Sequence, residues 1–247
     1  MARYFVEVAY KGTNYRGFQI QQNANSIQEE VEKAFQTLQK EKTSLTGSSR
    51  TDAGVHALQN FFHFDFDGEI NPRFVYQMNA ILPHDIVIKK VLRVKPEAHC
   101  RFDALNREYK YFVYRYKNPF LDDEAYYFPY KLNIELMSEA AEAIRKHTDF
   151  SSFSKRNTQV KTFNCQVQKS NWEWEDECLV FCIRADRFLR GMVRALVATM
   201  LKIGRGKLSL DDFEKIIKEK DCTKASFAVP ARGLFLVAVT YPDAIFH

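Results

Sequence analysis

Glycine and proline are scarce in this 247-residue chain, at 9 and 7 residues. That scarcity argues against long linkers and low-complexity disorder. Paired cysteines are missing too. Cys100, Cys165, Cys178, Cys182 and Cys222 are scattered, odd in number and without a Cys-x-x-Cys spacing, so buried free thiols are expected rather than disulfides or a zinc knuckle. No apolar run approaches the roughly 20 residues of a membrane helix, and Ala2 to Val8 reads as a strand, not a leader; the expectation is a cytoplasmic protein. There is no glycine-rich phosphate loop and no His-x-Glu…Cys-x-x-Cys pattern, so no cofactor is expected. His56 and His63 sit seven apart without a third ligand at usual spacing, and a structural hydrogen-bonding role is expected for both, with no metal.

What the chain does contain is 46% hydrophobic and 27% charged residues, with 21 Phe and 12 Tyr. That suits one large folded domain or two small ones. The net charge of +5 permits an acidic polymer as partner without demanding one. Basic residues cluster locally. Lys155, Arg156 and Lys161 flank a polar stretch, and Arg184, Arg187, Arg190, Arg194, Lys202, Arg205 and Lys207 fall in one span.

Periodicity predicts alternating strands and helices. Phe5 to Tyr10 alternates as a strand. Ser26 and Glu29 form a capping-box pattern ahead of an apolar stripe of Ile27, Val31, Ala34, Phe35 and Leu38. Strands are expected near Ser44 to Ser48, Leu58 to Phe66 and Asp85 to Val94, with a helix opened by Asn71-Pro72. The second part repeats the theme. Strands are expected at Leu105 to Tyr116, Phe163 to Lys169, Cys178 to Ala185 and Leu234 to Tyr241. Helices are expected after Asn133, with Leu136, Ala140, Ala143 and Ile144 inward, over Phe188 to Ile203, and from Ser209. The reading is α+β, in an N-terminal half 1–103 and a C-terminal half 104–247.

Three places carry chemistry. Ser49-Arg50-Thr51-Asp52-Ala53-Gly54-Val55-His56 is a compact turn between two strand-like segments. Alone, Asp52 would read as a turn aspartate bonded to its own backbone; the string around it points instead to a carboxylate fixed at a strand end, where it can face a cleft. Arg194 sits inside Met192 to Leu201, which is apolar almost all round. A guanidinium there needs a partner, and Asp52 is the expected one; such a partner would keep that carboxylate ionised. Arg187 and Arg190 share a helical row with Arg194 and would lead outward toward phosphate. Arg107, Tyr109 and Tyr111 alternate on one strand face.

These segments resemble the tRNA pseudouridine synthase A (TruA) family. Arg50 to His56 matches the family's Gly-Arg-Thr-Asp-Ala-Gly-Val-His loop, with Ser49 in place of Gly. Met192-Val193-Arg194 matches its Met-Val-Arg, although Arg190-Gly191 replaces the preceding Tyr-Asn. Arg107-x-Tyr109-x-Tyr111 matches its Arg-x-Tyr-x-Tyr. His99-Cys100-Arg101-Phe102-Asp103-Ala104 resembles its His-Ala-Arg-Phe-Ser-Ala. Tyr10-Lys11-Gly12, Gly17-Phe18-Gln19, Asn79 to Pro83, Asp149 to Phe153 and Gly233 to Leu236 extend the likeness from Tyr4 to Pro242.

The resemblance implies the pseudouridine synthase fold: two ferredoxin-like halves sharing a mixed, mainly antiparallel sheet with a central cleft. It implies isomerisation of uridine to pseudouridine at positions 38, 39 and 40 of the tRNA anticodon stem-loop, by a homodimer without a cofactor. Asp52 would be the catalytic carboxylate, by attack on the ribose, proton removal from it or addition to the base. Arg194 would orient it, Tyr109 would stack on the uracil and could transfer a proton, Arg50 would fill the vacated space, and Leu234 would wall the base pocket. Lys155, Arg156 and Arg190 are the expected phosphate contacts. A non-catalytic RNA-binding protein on the same scaffold, or a synthase with another RNA target, remains open at this stage.

Overall fold

The computed structural model describes residues 1–156 and 160–247. Part of the polar stretch between Arg156 and Lys161 lies outside the described residues. In chain order the elements are β1 (Ala2–Tyr10), α1 (Ile27–Gln39), β2 (Thr46–Gly47), β3 (His56–Phe66), α2 (Phe74–Ile81), β4 (Ile86–Val94), β5 (Asn106–Tyr114), β6 (Tyr126–Tyr127), α3 (Ile134–Ile144), β7 (Val167–Glu175), β8 (Cys178–Ala185), α4 (Met192–Gly204), α5 (Leu210–Glu219) and β9 (Leu234–Thr240). The class is α+β, as the alternation of elements led one to expect. Two compact units emerge, one of Met1–Leu105 with Leu236–His247, the other of Asn106–Phe235. The C-terminal tail thus packs with the N-terminal elements, through Leu105 N–H donating to Thr240 O, and Lys95 N–H to Ile245 O.

In the first unit the strand order is β4-β1-β3-β9, with β2 on β3. β1 runs antiparallel to β3, with Val6 opposite Phe62 and Tyr4 opposite Phe64. One sheet face meets α1 and α2, where Phe35 packs on Phe64 and Phe74 at 4.9 and 5.1 Å between ring centroids. The other face carries Phe5 and Phe61 against Tyr241, at 5.2 and 5.1 Å. β3 is therefore buried on both faces, and Phe61, Phe62, His63 and Phe64 are all buried in succession. Each buried phenylalanine contributes about 1.5–3 kcal/mol by leaving water.

In this unit one helix cap and one helix start differ from the expectation. Ser26 caps α1 by accepting from the Glu29 N–H, but Glu29 turns its carboxylate to Lys33, 2.9 Å away. Asn71 accepts from the Arg73 N–H and makes a turn, so Pro72 precedes the helix instead of opening it; α2 begins at Phe74.

In the second unit β5-β8-β7 form an antiparallel ladder, and β6 pairs with β5 in parallel. β7 lies four residues later than expected. Asn133 caps α3 through the Leu136 N–H, and the buried face is Met137, Ala140, Ala141 and Ile144, rotated from the expected stripe. α4 is buried at every residue except Arg194 and Lys202. It starts at Met192, not Phe188, because Gly191 takes φ +77°, a left-handed conformation that no continuing helix contains. Arg187 and Arg190 thus precede the helix and form no helical row with Arg194. α5 begins with a reciprocal capping box between Ser209 and Asp212.

Candidate active site

Asp52 sits half-buried in a loop anchored on several sides within the first unit. Thr51 shares a 2.8 Å hydrogen bond with the Tyr10 hydroxyl, and its carbonyl accepts from Phe18 N–H at 3.1 Å. Asn60, completely buried, donates to Tyr10 Oη at 3.2 Å and to Ser49 O at 2.8 Å, while its Oδ1 accepts from the Ser49 N–H. Asp52 O accepts from Val55 N–H to close the turn, and Gly54 N–H donates to Tyr15 O. Gly54 takes φ +76°, as its place in the turn led one to expect. Ser49, where a glycine was the family pattern, is absent from the left-handed residues, so the exchange costs the backbone nothing. Asp52 is thereby held between fixed neighbours, and Arg50 beside it is exposed.

Gly17 explains a second constraint. With φ +119°, a Cβ there would stand 3.1 Å from Thr51 O. Only glycine lets the 11–18 segment come this close to the carboxylate loop. His56 is buried and accepts the Gly12 N–H through Nδ1 at 3.1 Å, the structural role expected for it. It therefore ties the same segment to the end of the loop.

The second unit holds the other expected residues. Tyr109 and Tyr111 lie on β5, opposite Ile183 and Phe181 of β8. Tyr109 is 8% exposed and meets Phe188 edge-on at 4.9 Å. Arg194 is half-buried; its Nε and Nη2 donate to Val229 O at 3.1 and 2.6 Å. The Tyr111 hydroxyl donates to Pro230 O at 2.8 Å. Burial pushes that hydroxyl well above its ordinary range, although the charges of Arg194 and Arg232 act the other way; it stays a proton donor. Gly233 lets the chain pass β5 closely, since a Cβ there would stand 2.9 Å from Phe112 O and the Tyr111 ring. Leu234 follows it, 7% exposed. Residues 229–234 thus form one wall beside Tyr111 and Arg194. Val229 was not singled out from the sequence, and only the folded wall marks it.

Of the basic residues, Lys155 and Arg190 come together: Lys155 N–H donates to Arg190 O at 2.9 Å. A Cβ on Gly191 would touch the Lys155 side chain. Arg156 and Arg190 are exposed. Flexible cations on adjacent segments suit phosphate contacts, which need charge and reach more than fixed geometry.

A sequence model described as tRNA pseudouridine synthase matches residues 7–103 and 140–242, which defines the class as that of isomerases forming pseudouridine. Curated relatives named tRNA pseudouridine synthase A align along the whole chain. That of Bacteroides fragilis is 49% identical over 99% of this chain and 98% of its own length. That of Parabacteroides distasonis is 46% identical over 100% and 98%, and that of a Staphylococcus aureus strain 36% over 95% and 90%. The chain belongs to the tRNA pseudouridine synthase A family.

Proposed function

We propose that this protein isomerises uridine to pseudouridine in tRNA, at positions 38, 39 and 40 of the anticodon stem-loop. The observation that carries this reading is the Asp52 loop, held by Tyr10, Asn60 and Phe18, in a chain 46–49% identical over its full length to relatives so named. The reaction breaks the N1–C1′ bond, turns the uracil and joins C5 to C1′; the C5 proton leaves and N1 takes one up. Nothing is oxidised or reduced. Asp52 serves as the carboxylate that assists C–N cleavage, as carboxylates do at sugars developing positive charge. Arg194 orients it, Tyr109 stacks on the uracil, and Leu234 walls the pocket. Arg50 fills the space that the flipped nucleotide vacates. Lys155, Arg156 and Arg190 meet phosphates. The protein acts as a cytoplasmic homodimer.

The test is tritium release from C5-labelled uridine in tRNA transcripts, without added cofactor, followed by mapping of the product. Release from the anticodon stem-loop is expected. Release only from other RNAs would reassign the substrate, and none at all would leave an RNA-binding protein.

A further inference from the structure

Away from the Asp52 loop, the first unit gathers two imidazoles and a thiol from distant parts of the chain. His63 lies on β3, opposite Thr46 of β2; His99 and Cys100 belong to the turn that follows β4. One donor atom from each of the three lies within 4.8 Å of the others. His63 Nδ1 is 3.2 Å from Cys100 Sγ, and the two imidazole rings are 4.5 Å apart. A tetrahedral zinc, with Zn–S about 2.3 Å and Zn–N about 2.0–2.1 Å, holds its nitrogen and sulfur ligands about 3.5 Å from each other. The existing nitrogen–sulfur spacing is already close to that edge.

We propose that His63, His99 and Cys100 form a binding site for a borderline-soft divalent cation, zinc foremost, with water in the fourth position. The frame is fixed before any ion arrives. The Tyr241 hydroxyl donates to Cys100 O at 2.6 Å, Asp103 accepts from His99 N–H at 2.7 Å, and Arg101 N–H donates to His99 Nδ1. The Cys100 thiol now donates to Thr46 O at 3.1 Å; on binding, the S–H bond breaks, the metal–sulfur bond forms and one proton passes to solvent. Cys100 stands where the resembled family pattern has alanine. Spacing along the chain gave no sign of it, since the partners of His63 come from beyond the next helix and strand.

The test is titration of reduced, full-length protein with cobalt(II) alone. One equivalent should give an intense near-ultraviolet thiolate-to-cobalt band, displaced by zinc, with one proton released per ion. Cys100→Ala, which installs the family's own residue, should lose the band; Cys222→Ser should keep it. His63→Gln and His99→Gln should each weaken or abolish it. No band in the native protein would overturn the site. So would a band that survives Cys100→Ala, one that requires Cys222, or one indifferent to both histidines.

Discussion

At the scale of single residues, Asp52 stands out in the sequence because a turn rarely combines Arg-Thr-Asp-Ala-Gly-Val-His, and a bare turn aspartate needs none of those neighbours. What holds Asp52 was not legible. Tyr10, Asn60 and Thr51 lie up to fifty positions apart in the chain, and a buried asparagine inside an apolar strand carries no label of its partners. Arg194 was expected in a buried setting because of its apolar helix; it is half-buried and bonded to Val229 O, a backbone acceptor that no side-chain pattern can announce. Two outcomes follow. Asp52→Ala should abolish tritium release while tRNA affinity, measured by filter binding, stays within a few-fold; retained turnover would remove Asp52 from the chemistry. Asn60→Ala strands the Ser49 N–H and C=O that it now satisfies. It should cost about 1–3 kcal/mol in urea denaturation and lower the turnover rate more than it weakens tRNA binding. An unchanged denaturation midpoint would mean that water replaces the amide.

At the scale of elements, β3 was read to within two residues at its start and β8 over its full span, whereas β7, with its alternating burial, lies four residues later than expected. The helices were read correctly, and Ser26, Asn133 and Ser209 cap α1, α3 and α5 as expected, but the starts of α2 and α4 were missed. The starts depend on backbone choices such as the left-handed Gly191 and the Asn71 turn, whose side-chain signals resemble those of ordinary caps. The contact between Asp149 and α5 is of this hidden kind. Asp149 accepts from the Ser151 amide and hydroxyl and pairs with Lys220 at 2.8 Å, just past the end of α5. Burial would raise its carboxyl, but Lys220 and Ser151 outweigh that and hold it below the ordinary value of 3.8. The unfolded chain therefore binds this proton more readily than the folded one. The contribution is full above that ordinary value and is lost as pH falls through the lower, folded one. Asp149→Asn should lower the melting temperature at neutral pH, and the gap to wild type should close on acidification below about pH 4. A gap that persists unchanged at low pH would show that packing, not charge, is what the variant removes.

At the scale of the whole molecule, composition foresaw the state of the thiols and only hinted at the partner. Cys100, Cys165, Cys178 and Cys182 are buried and Cys222 is half-exposed. Burial pushes Cys165 up to about 12, and burial with the Glu173 contact does the same to Cys182. One fast equivalent with a thiol reagent is expected in the native protein and five after denaturation. More than one fast native equivalent would mean the core opens readily. The charge of +5 is too small to identify a polyanion by itself, because what matters is where cations can reach a phosphate. Lys155 and Arg190 offer such a place through their shared backbone contact. If they meet phosphates, neutralising each one forgoes the release of about one counterion on binding. Lys155→Ala and Arg190→Ala should then weaken tRNA binding at low salt. Each should also reduce the slope of log affinity against log salt by about 1, with the loss similar across tRNA sequences because a phosphate carries no base identity. Equal slopes for wild type and variants would place the tRNA backbone elsewhere on the protein, even if activity were intact.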